Sequence, residues 1–256
     1  MKILVLGDIV GEPGRKMIAA RVPRLREEEE IDFVVANGEN IAGGSGLTFQ
    51  TSRELLGSGV DCLMTGDHVW DKKEIVEAIE QEKRILRPVN YPDGVPGRGA
   101  VVLETRSGRP VGVINTIGRV FMRDAFDCPF RTTEKAAAQL RKQTPFILVD
   151  IHAEATSEKV ALGWYLDGKV SAVFGTHTHI QTSDEKILPK GTAYITDLGM
   201  TGAYHSVLGR EIQRVVDRFL TQMPQRFELA TDDVQLHGAV IELDDTTGLA
   251  LSIRRI

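Results

Sequence analysis

The chain has 256 residues, 42% of them hydrophobic and 26% charged, with a formal net charge of -5. That is enough apolar material for a core without disulfides, and the acidic balance argues against a protein that holds duplex nucleic acid by long-range attraction. No apolar window approaches the length that crosses a bilayer, and two cysteines without a CxxC spacing, Cys62 and Cys128, fit a reduced, cytoplasmic setting.

The opening MKILVLGD carries an apolar stretch too short for a signal peptide and reads as a first strand. Strand-length runs rich in Val, Ile and Leu recur at residues 2–6, 32–36, 60–64, 111–117, 146–151 and 170–174, the pattern of strands covered on both faces. Between them helices are predicted over Arg15 to Glu30, interrupted by Pro23, then Ser52 to Leu56, Lys72 to Glu82, Thr133 to Lys142, Glu158 to Leu166 and Leu208 to Met223. The box Thr51-x-x-Glu54, and Glu134 after Thr132 and Thr133, read as helix starts. Strands alternating with helices imply βαβ units and a largely parallel sheet. Residues 99–117 and the stretch from His237 onward break the alternation, and each reads as a hairpin, turning at Ser107-Gly108 and at Asp244 to Gly248. The expectation is an α/β chain in which residues 1–256 form one domain, with two sheets and helices outside them. Glu27 to Glu30 reads as a solvated charge run.

Side chains of metal-binding type follow the strand-like runs in turn: Asp8 after ILVLG, Glu39 and Asn40 after FVVANG, Asp67 and His68 after CLMTG, His152 after FILVDI, and His177 and His179 after AVFGT. In a parallel sheet the carboxyl ends of the strands share one edge, so residues far apart in sequence can meet there. Gly7, Gly38, Gly66 and Gly175, just ahead of those residues, suit tight strand-to-loop turns. Imidazoles, carboxylates and an amide without a thiolate favour iron, manganese or zinc over a Cys-rich structural site. So many candidates exceed one tetrahedral ion. Two ions about 3.5 to 4 Å apart, sharing a carboxylate, would use them and clamp a phosphoryl group.

Taken singly, each element has a plainer reading. Asp8 could be a cap or turn former, Glu39-Asn40 loop polarity, and His152 a hydrogen-bonded core histidine, with Trp70 packing in the core. Gly43 to Gly46 lacks the Gly-Lys-Ser/Thr ending of a phosphate loop. His177-x-His179 is the strongest single signal, since alternate residues of an extended segment point the same way. Asp71, three residues after His68, is spaced to orient its ring. His205 and His237 read as loop and hairpin residues. Arg119 to Arg131, with Phe126 and Phe130, reads as a surface arm packing its own apolar residues, though its cations and aromatics would also suit a nucleotide.

Together, GDIVG at 7–11, NGENIAGG at 37–44, TGDHVWD at 65–71, RPVNYP at 87–92, DIHAEATSEK at 150–159, GTHTHIQT at 175–182 and DLGMTG at 197–202 resemble the metallophosphoesterase superfamily. The resemblance is closest to its YmdB-type branch and covers nearly the whole chain. It implies a four-layer α/β/β/α sandwich and a dinuclear site, with Asp8, Glu39, Asn40 and His179 on one ion and Glu39, Asp67, His152 and His177 on the other. It also implies phosphodiesterase activity, 2′,3′-cyclic nucleotides included, with iron or manganese bound and zinc as a further option. His68 would then serve as catalytic proton donor while a hydroxide shared by the ions attacks phosphorus. The same site would equally serve a non-catalytic regulator that senses a nucleotide. A small nucleotide or phosphodiester is the expected partner, without a membrane or duplex, and the arm at 119–131 could meet another subunit of a homo-oligomer. An amidohydrolase is disfavoured because its HxH pair follows the first strand, and here it comes late. Two departures stand out: Ile9 and Val10 follow Asp8 where many members place a His two residues on, a position Asn40 would fill, and Asp67 stands where Asn is usual, adding a negative charge.

Overall fold

The first strand, β1 (Lys2–Ile9), shows how the layers arise in this computed structural model, which describes residues 1–256. Successive side chains of a strand point to opposite faces. Ile3 and Val5 therefore enter one apolar core, shared with the second sheet, while Leu4 and Leu6 enter another, beneath helices.

The chain continues through α1 (Gly11–Glu28), β2 (Phe33–Asn37), α2 (Phe49–Gly57), β3 (Cys62–Met64) and α3 (Ile75–Gln81). A hairpin of β4 (Ala100–Glu104) and β5 (Pro110–Ile117) leads to α4 (Pro129–Leu140), β6 (Ile147–His152), α5 (Thr156–Leu166) and β7 (Ala172–Thr176). Short strands β8 (Lys186–Ile187), β9 (Ala193–Ile195) and β10 (Met200–Ala203) precede α6 (Ile212–Thr221), β11 (Val234–Gln235) and the closing hairpin of β12 (Gly238–Leu243) and β13 (Ala250–Arg255).

In the first sheet β1, β2 and β3 run parallel, side by side. Along the other side of β1, β12 runs antiparallel to Lys2 through Leu6, and β10 takes over in parallel at Asp8 and Ile9. The second sheet has the order β4-β5-β6-β7-β9-β8, with β5, β6, β7 and β9 parallel. Between the sheets, Val5, Val35, Met64 and Ile241 share a core with Val113, Leu148, Phe174 and Ile195. Ile18, Val22, Leu55 and Ile79 cover the outer face of the first sheet from α1, α2 and α3. Ala136, Leu140, Leu162 and Leu166 cover the second from α4 and α5. The architecture is the α/β/β/α sandwich, and it brings the carboxyl ends of β1, β2 and β3 near those of β6 and β7.

All six predicted runs form strands, and both predicted hairpins are present. All six predicted helices are present, but none begins at the predicted residue: α6 starts at Ile212, since Leu208 lies in a turn at positive φ, and two of the expected start signals are also formed otherwise. The capping box of α2 is formed by Thr48 and Thr51, not by Thr51 and Glu54: Thr51 N donates to Thr48 Oγ1 at 3.1 Å and Thr48 N to Thr51 Oγ1 at 3.0 Å. Glu54 instead pairs with Arg15 at 2.8 Å. Helix α4 begins at Pro129, ahead of Thr132 and Thr133, because a first-turn proline lacks an N–H that would be unpaired there in any case. Helix α1 passes through Pro23, which forfeits one hydrogen bond without ending it.

The glycines before the site residues also differ from expectation. None of Gly7, Gly38, Gly66 and Gly175 lies at positive φ; at three of them what excludes a side chain is close approach. A Cβ on Gly7 would overlap the carbonyl oxygen of Gly199, one on Gly175 that of Thr196, and one on Gly66 the side chains of His152 and Glu39. Gly175→Ala is therefore expected to destabilise the protein by about 3 kcal/mol in urea titrations. Gly57→Ala, where nothing lies within 4 Å, should change stability by less than about 1 kcal/mol.

Candidate metal centre

Five strand ends supply the cluster. Asp8 is the penultimate residue of β1 and His152 the last of β6. Glu39 and Asn40 follow β2, Asp67 follows β3, and His177 and His179 follow β7. Asp8, Glu39, Asn40 and His152 are buried, whereas Asp67, His177 and His179 are partly open to a cleft.

The side chains converge in two overlapping groups. Around His152 Nε2 lie Glu39 Oε1 at 3.2 Å, Asp67 Oδ1 at 3.1 Å and His177 Nδ1 at 3.0 Å. One ligand-type atom from each of these four residues falls within 4.8 Å of all the others. Alongside, His179 Nε2 lies 3.7 Å from Asp8 Oδ1 and 3.4 Å from Asn40 Nδ2, and Asn40 Nδ2 is 3.2 Å from Glu39 Oε1. Glu39 is thus common to both groups.

No lysine or arginine pairs with Asp8, Glu39 or Asp67; their only cationic partners are histidines. Burial raises the pKa of Asp8. Burial acts the same way on Glu39 and Asp67, but His152 outweighs it at Glu39, and hydrogen bonds from His152 and His177 hold Asp67 far below the usual carboxylate range. Burial would lower His152, yet the facing carboxylates push it well above the ordinary histidine value. Asp8 Oδ1 and His179 Nδ1 are buried without any hydrogen-bond partner. Concentrated negative charge, an orphaned carboxylate oxygen and imidazole nitrogens facing it are what a site for metal cations requires, so the residues fit that role.

Groups behind the cluster orient it. His152 Nδ1 lies 2.9 Å from Thr176 Oγ1, which donates to Asp150 Oδ1 at 2.8 Å, while Asn115 Nδ2 donates to the other Asp150 oxygen at 3.1 Å. With both oxygens accepting, Asp150 adopts a carboxylate's hydrogen bonding, although burial pushes its pKa up to about 8. The Thr176 hydroxyl is then left to accept from Nδ1, so Nε2 is the nitrogen whose lone pair a cation would take in place of the proton. On the open side, His177 Nε2 meets Glu154 at 3.2 Å while its Nδ1 faces inward.

The two late histidines do not sit on an extended segment. Strand β7 stops at Thr176, and His177 and His179 both take positive φ, at 94° and 62°. Such conformations are strained for residues with a Cβ and persist only where neighbours hold them. Asp8 Oδ2 accepts from His177 N at 3.0 Å. Thr178, between the histidines, is held by a buried ion pair: Lys159 Nζ lies 2.7 Å from Asp197 Oδ2 and 3.2 Å from Thr178 Oγ1, which itself donates to Asp197 at 2.6 Å. The left-handed turns send the two rings apart, one to each group.

His68 stands at the cleft with its Nδ1 2.9 Å from Asp71 Oδ2 and its Nε2 3.9 Å from Asp67. Ser45 Oγ, 3.3 Å from the same Nδ1, also bonds Asp71. Asp71 orients the ring, as its spacing suggested. His205 and His237 lie apart from the cluster; His237 stacks on Tyr204 with centroids 4.5 Å apart. In the arm, Phe126 packs on Tyr91, but Phe121 is 85% exposed, so the arm buries only part of its apolar surface. Glu154, Lys159 and Asp197 have site contacts that sequence reasoning did not assign, although all three lie in motifs it had singled out.

Two facing sheets that gather carboxylates and imidazoles at their strand ends form the metallophosphoesterase arrangement. A model of the family described as YmdB-like protein matches residues 4–256. A 2′,3′-cyclic-nucleotide 2′-phosphodiesterase of Bacillus subtilis (strain 168) is 48% identical over 256 residues, covering 100% of this chain and 96% of that protein. Among solved structures, a hypothetical protein from Thermus thermophilus superposes with a TM-score of 0.93 at 42% identity, covering 100% of this chain and 98% of the other. A novel phosphatase from Mycoplasma pneumoniae gives 0.92 at 32% identity, covering 100% and 92%. The chain belongs to the YmdB-like family of the metallophosphoesterase superfamily.

Asp197→Asn should cost about 3 kcal/mol or more in urea denaturation, because it strands the Lys159 ammonium in the interior. The double variant Lys159→Met, Asp197→Leu should recover most of that stability. It should still retain metal poorly on gel filtration, since Thr178 then has neither anchor.

Proposed function

We propose that this chain is a metal-dependent phosphodiesterase acting on small phosphodiesters, 2′,3′-cyclic nucleotides foremost, with two ions of iron or manganese per chain. The observation that carries this reading is the group of Asp8, Glu39 and Asp67, largely buried, paired with histidines and with no lysine or arginine. The name and 48% identity of the Bacillus subtilis relative support the substrate class.

Asp8, Asn40 and His179 would hold one ion and Asp67, His152 and His177 the other, with Glu39 shared. Asn40 would turn its amide to offer Oδ1 in place of the Nδ2 that now faces Glu39. Ions bound there supply activation of water and neutralisation of charge on the phosphoryl oxygens. Asp67 in place of an amide adds a carboxylate and with it affinity for cations.

His68 is the group suited to the leaving oxygen. Asp71 holds Nδ1, so the proton available to substrate is on Nε2, at the cleft. In a 2′,3′-cyclic nucleotide the bond from phosphorus to the 2′-oxygen breaks, water supplies the new oxygen on phosphorus, and Nε2 delivers a proton to the 2′-oxygen. The product is the 3′-nucleotide. The cleft, about 500 Å³, lies within the range of small-molecule sites.

His68→Ala should keep the wild-type metal content by elemental analysis and lose about 10²- to 10⁴-fold in turnover of 2′,3′-cyclic AMP. Loss of metal in that variant would refute its assignment as proton donor. Chelation should abolish activity in the wild type, and re-addition of manganese or iron should restore it.

A further inference from the structure

The cleft has a second wall that the cluster does not use. Val207 and Arg210 exchange two backbone hydrogen bonds, 2.8 and 3.0 Å, and the residues between them, Leu208 and Gly209, both take positive φ, at 51° and 86°. This is the pattern of a tight primed turn, with a leucine where glycine or asparagine is the comfortable choice. Gly209 is wedged against Val10, two residues beyond Asp8: an added Cβ would come 2.7 Å from Val10 Cγ1. The turn is held against Val10, at the junction of β1 and α1, and it delivers Arg210 into the cleft.

Arg210 lines the same cleft as Glu39, Asn40, His68, His177 and His179, and it is the only lysine or arginine that does. Its side chain is partly buried, and burial lowers its pKa, yet it forms no ion pair with any carboxylate of the chain. Its hydrogen-bond partners are the carbonyl oxygens of Gly43, at 3.4 Å, and Gly44. A guanidinium has five N–H donors and remains charged at any ordinary pH, so three donors and the whole charge are left over. A partly desolvated cation without a counter-anion, facing a phosphoester cleft, is a receptor for a planar pair of anionic oxygens.

We propose that Arg210 forms a second anion subsite, which takes a phosphate of the substrate other than the one hydrolysed. This rests on the phosphodiesterase reading above for the placement of the first phosphate. Arg210 is anchored on the Gly43–Gly44 loop and pairs with none of the carboxylates of the cluster, and we assign it a group other than the one held among them. On a 2′,3′-cyclic ribose the remaining oxygen able to carry phosphate is the 5′-oxygen. The favoured substrate class is therefore a cyclic nucleotide with a 5′-phosphate, either free or as the link to a preceding nucleotide.

Binding of product-like ligands tests this without requiring turnover. Isothermal titration of metal-loaded wild type, Arg210→Lys and Arg210→Gln with adenosine 3′-phosphate and with adenosine 3′,5′-bisphosphate reads the contribution of the 5′-phosphate as a ratio. Wild type should bind the bisphosphate about tenfold more tightly or better. Arg210→Gln should bring the two affinities within about twofold, and Arg210→Lys should keep part of the preference. An equal preference in wild type and Arg210→Gln would overturn the proposal. So would an equal weakening of both ligands, which would mean that the arginine only clamps the Gly43–Gly44 loop. Hydrolysis of 2′,3′-cyclic AMP, measured in parallel on wild type, separates the two readings: its absence would remove the phosphodiesterase assignment, while an Arg210-dependent ratio would leave the anion subsite standing.

Discussion

Three carboxylates brought together without a lysine or arginine are the constraint on which the rest of this structure depends. Asp8 and Glu39 are buried, Asp67 is partly so, and the only basic side chains paired with them are imidazoles, which must take up protons to act as cations. Without a counter-charge such an arrangement is strongly unfavourable, since burial and mutual repulsion both oppose ionisation. The sandwich tolerates it because the groups come from the ends of strands in two different sheets. The core between the sheets sets those ends against each other, and hydrophobic burial far from the site supplies the stability.

The same reasoning explains the polar machinery behind the cluster. Lys159 and Asp197 form a fully buried ion pair whose task in the geometry is to grip Thr178. The grip holds two histidines in left-handed conformations that would otherwise relax, and it turns a short loop into a fork. The chain of Asp150, Thr176 and His152 does comparable service by fixing which ring nitrogen faces inward. Backbone strain and buried polar groups are thus concentrated around one point, as expected where the surroundings must overdetermine a functional geometry.

Much of this was legible in the sequence, and what was not has physical causes. The β1, β2, β3, β5, β6 and β7 runs are long and apolar enough to declare themselves. The strands β8, β10 and β11, of two to four residues, are made by their partners rather than by periodicity. Alignment of Asp8, Glu39, Asp67, His152 and His177 could be anticipated because parallel strands end on one edge. The reason for the His-x-His spacing could not: an extended segment was expected, and positive φ at both histidines depends on Asp8 and Asp197, far away in sequence. Gly66 and Gly175 were visible as glycines, but the close approaches that demand them exist only in the folded chain. Arg210 carries no local signal at all, and Glu154, though inside a quoted motif, acquires a role only from the cleft the two share.

The central claim is that the fork of His177 and His179 reaches two different ions, one in each of two groups joined by Glu39. Anomalous scattering from crystals of the metal-loaded wild type, His177→Ala and His179→Ala proteins tests it most directly. Two peaks are expected in the wild type. His177→Ala should lose the one among Glu39, Asp67 and His152, and His179→Ala the one beside Asp8 and Asn40. A single peak in the wild type, or loss of the same peak in both variants, would contradict the account.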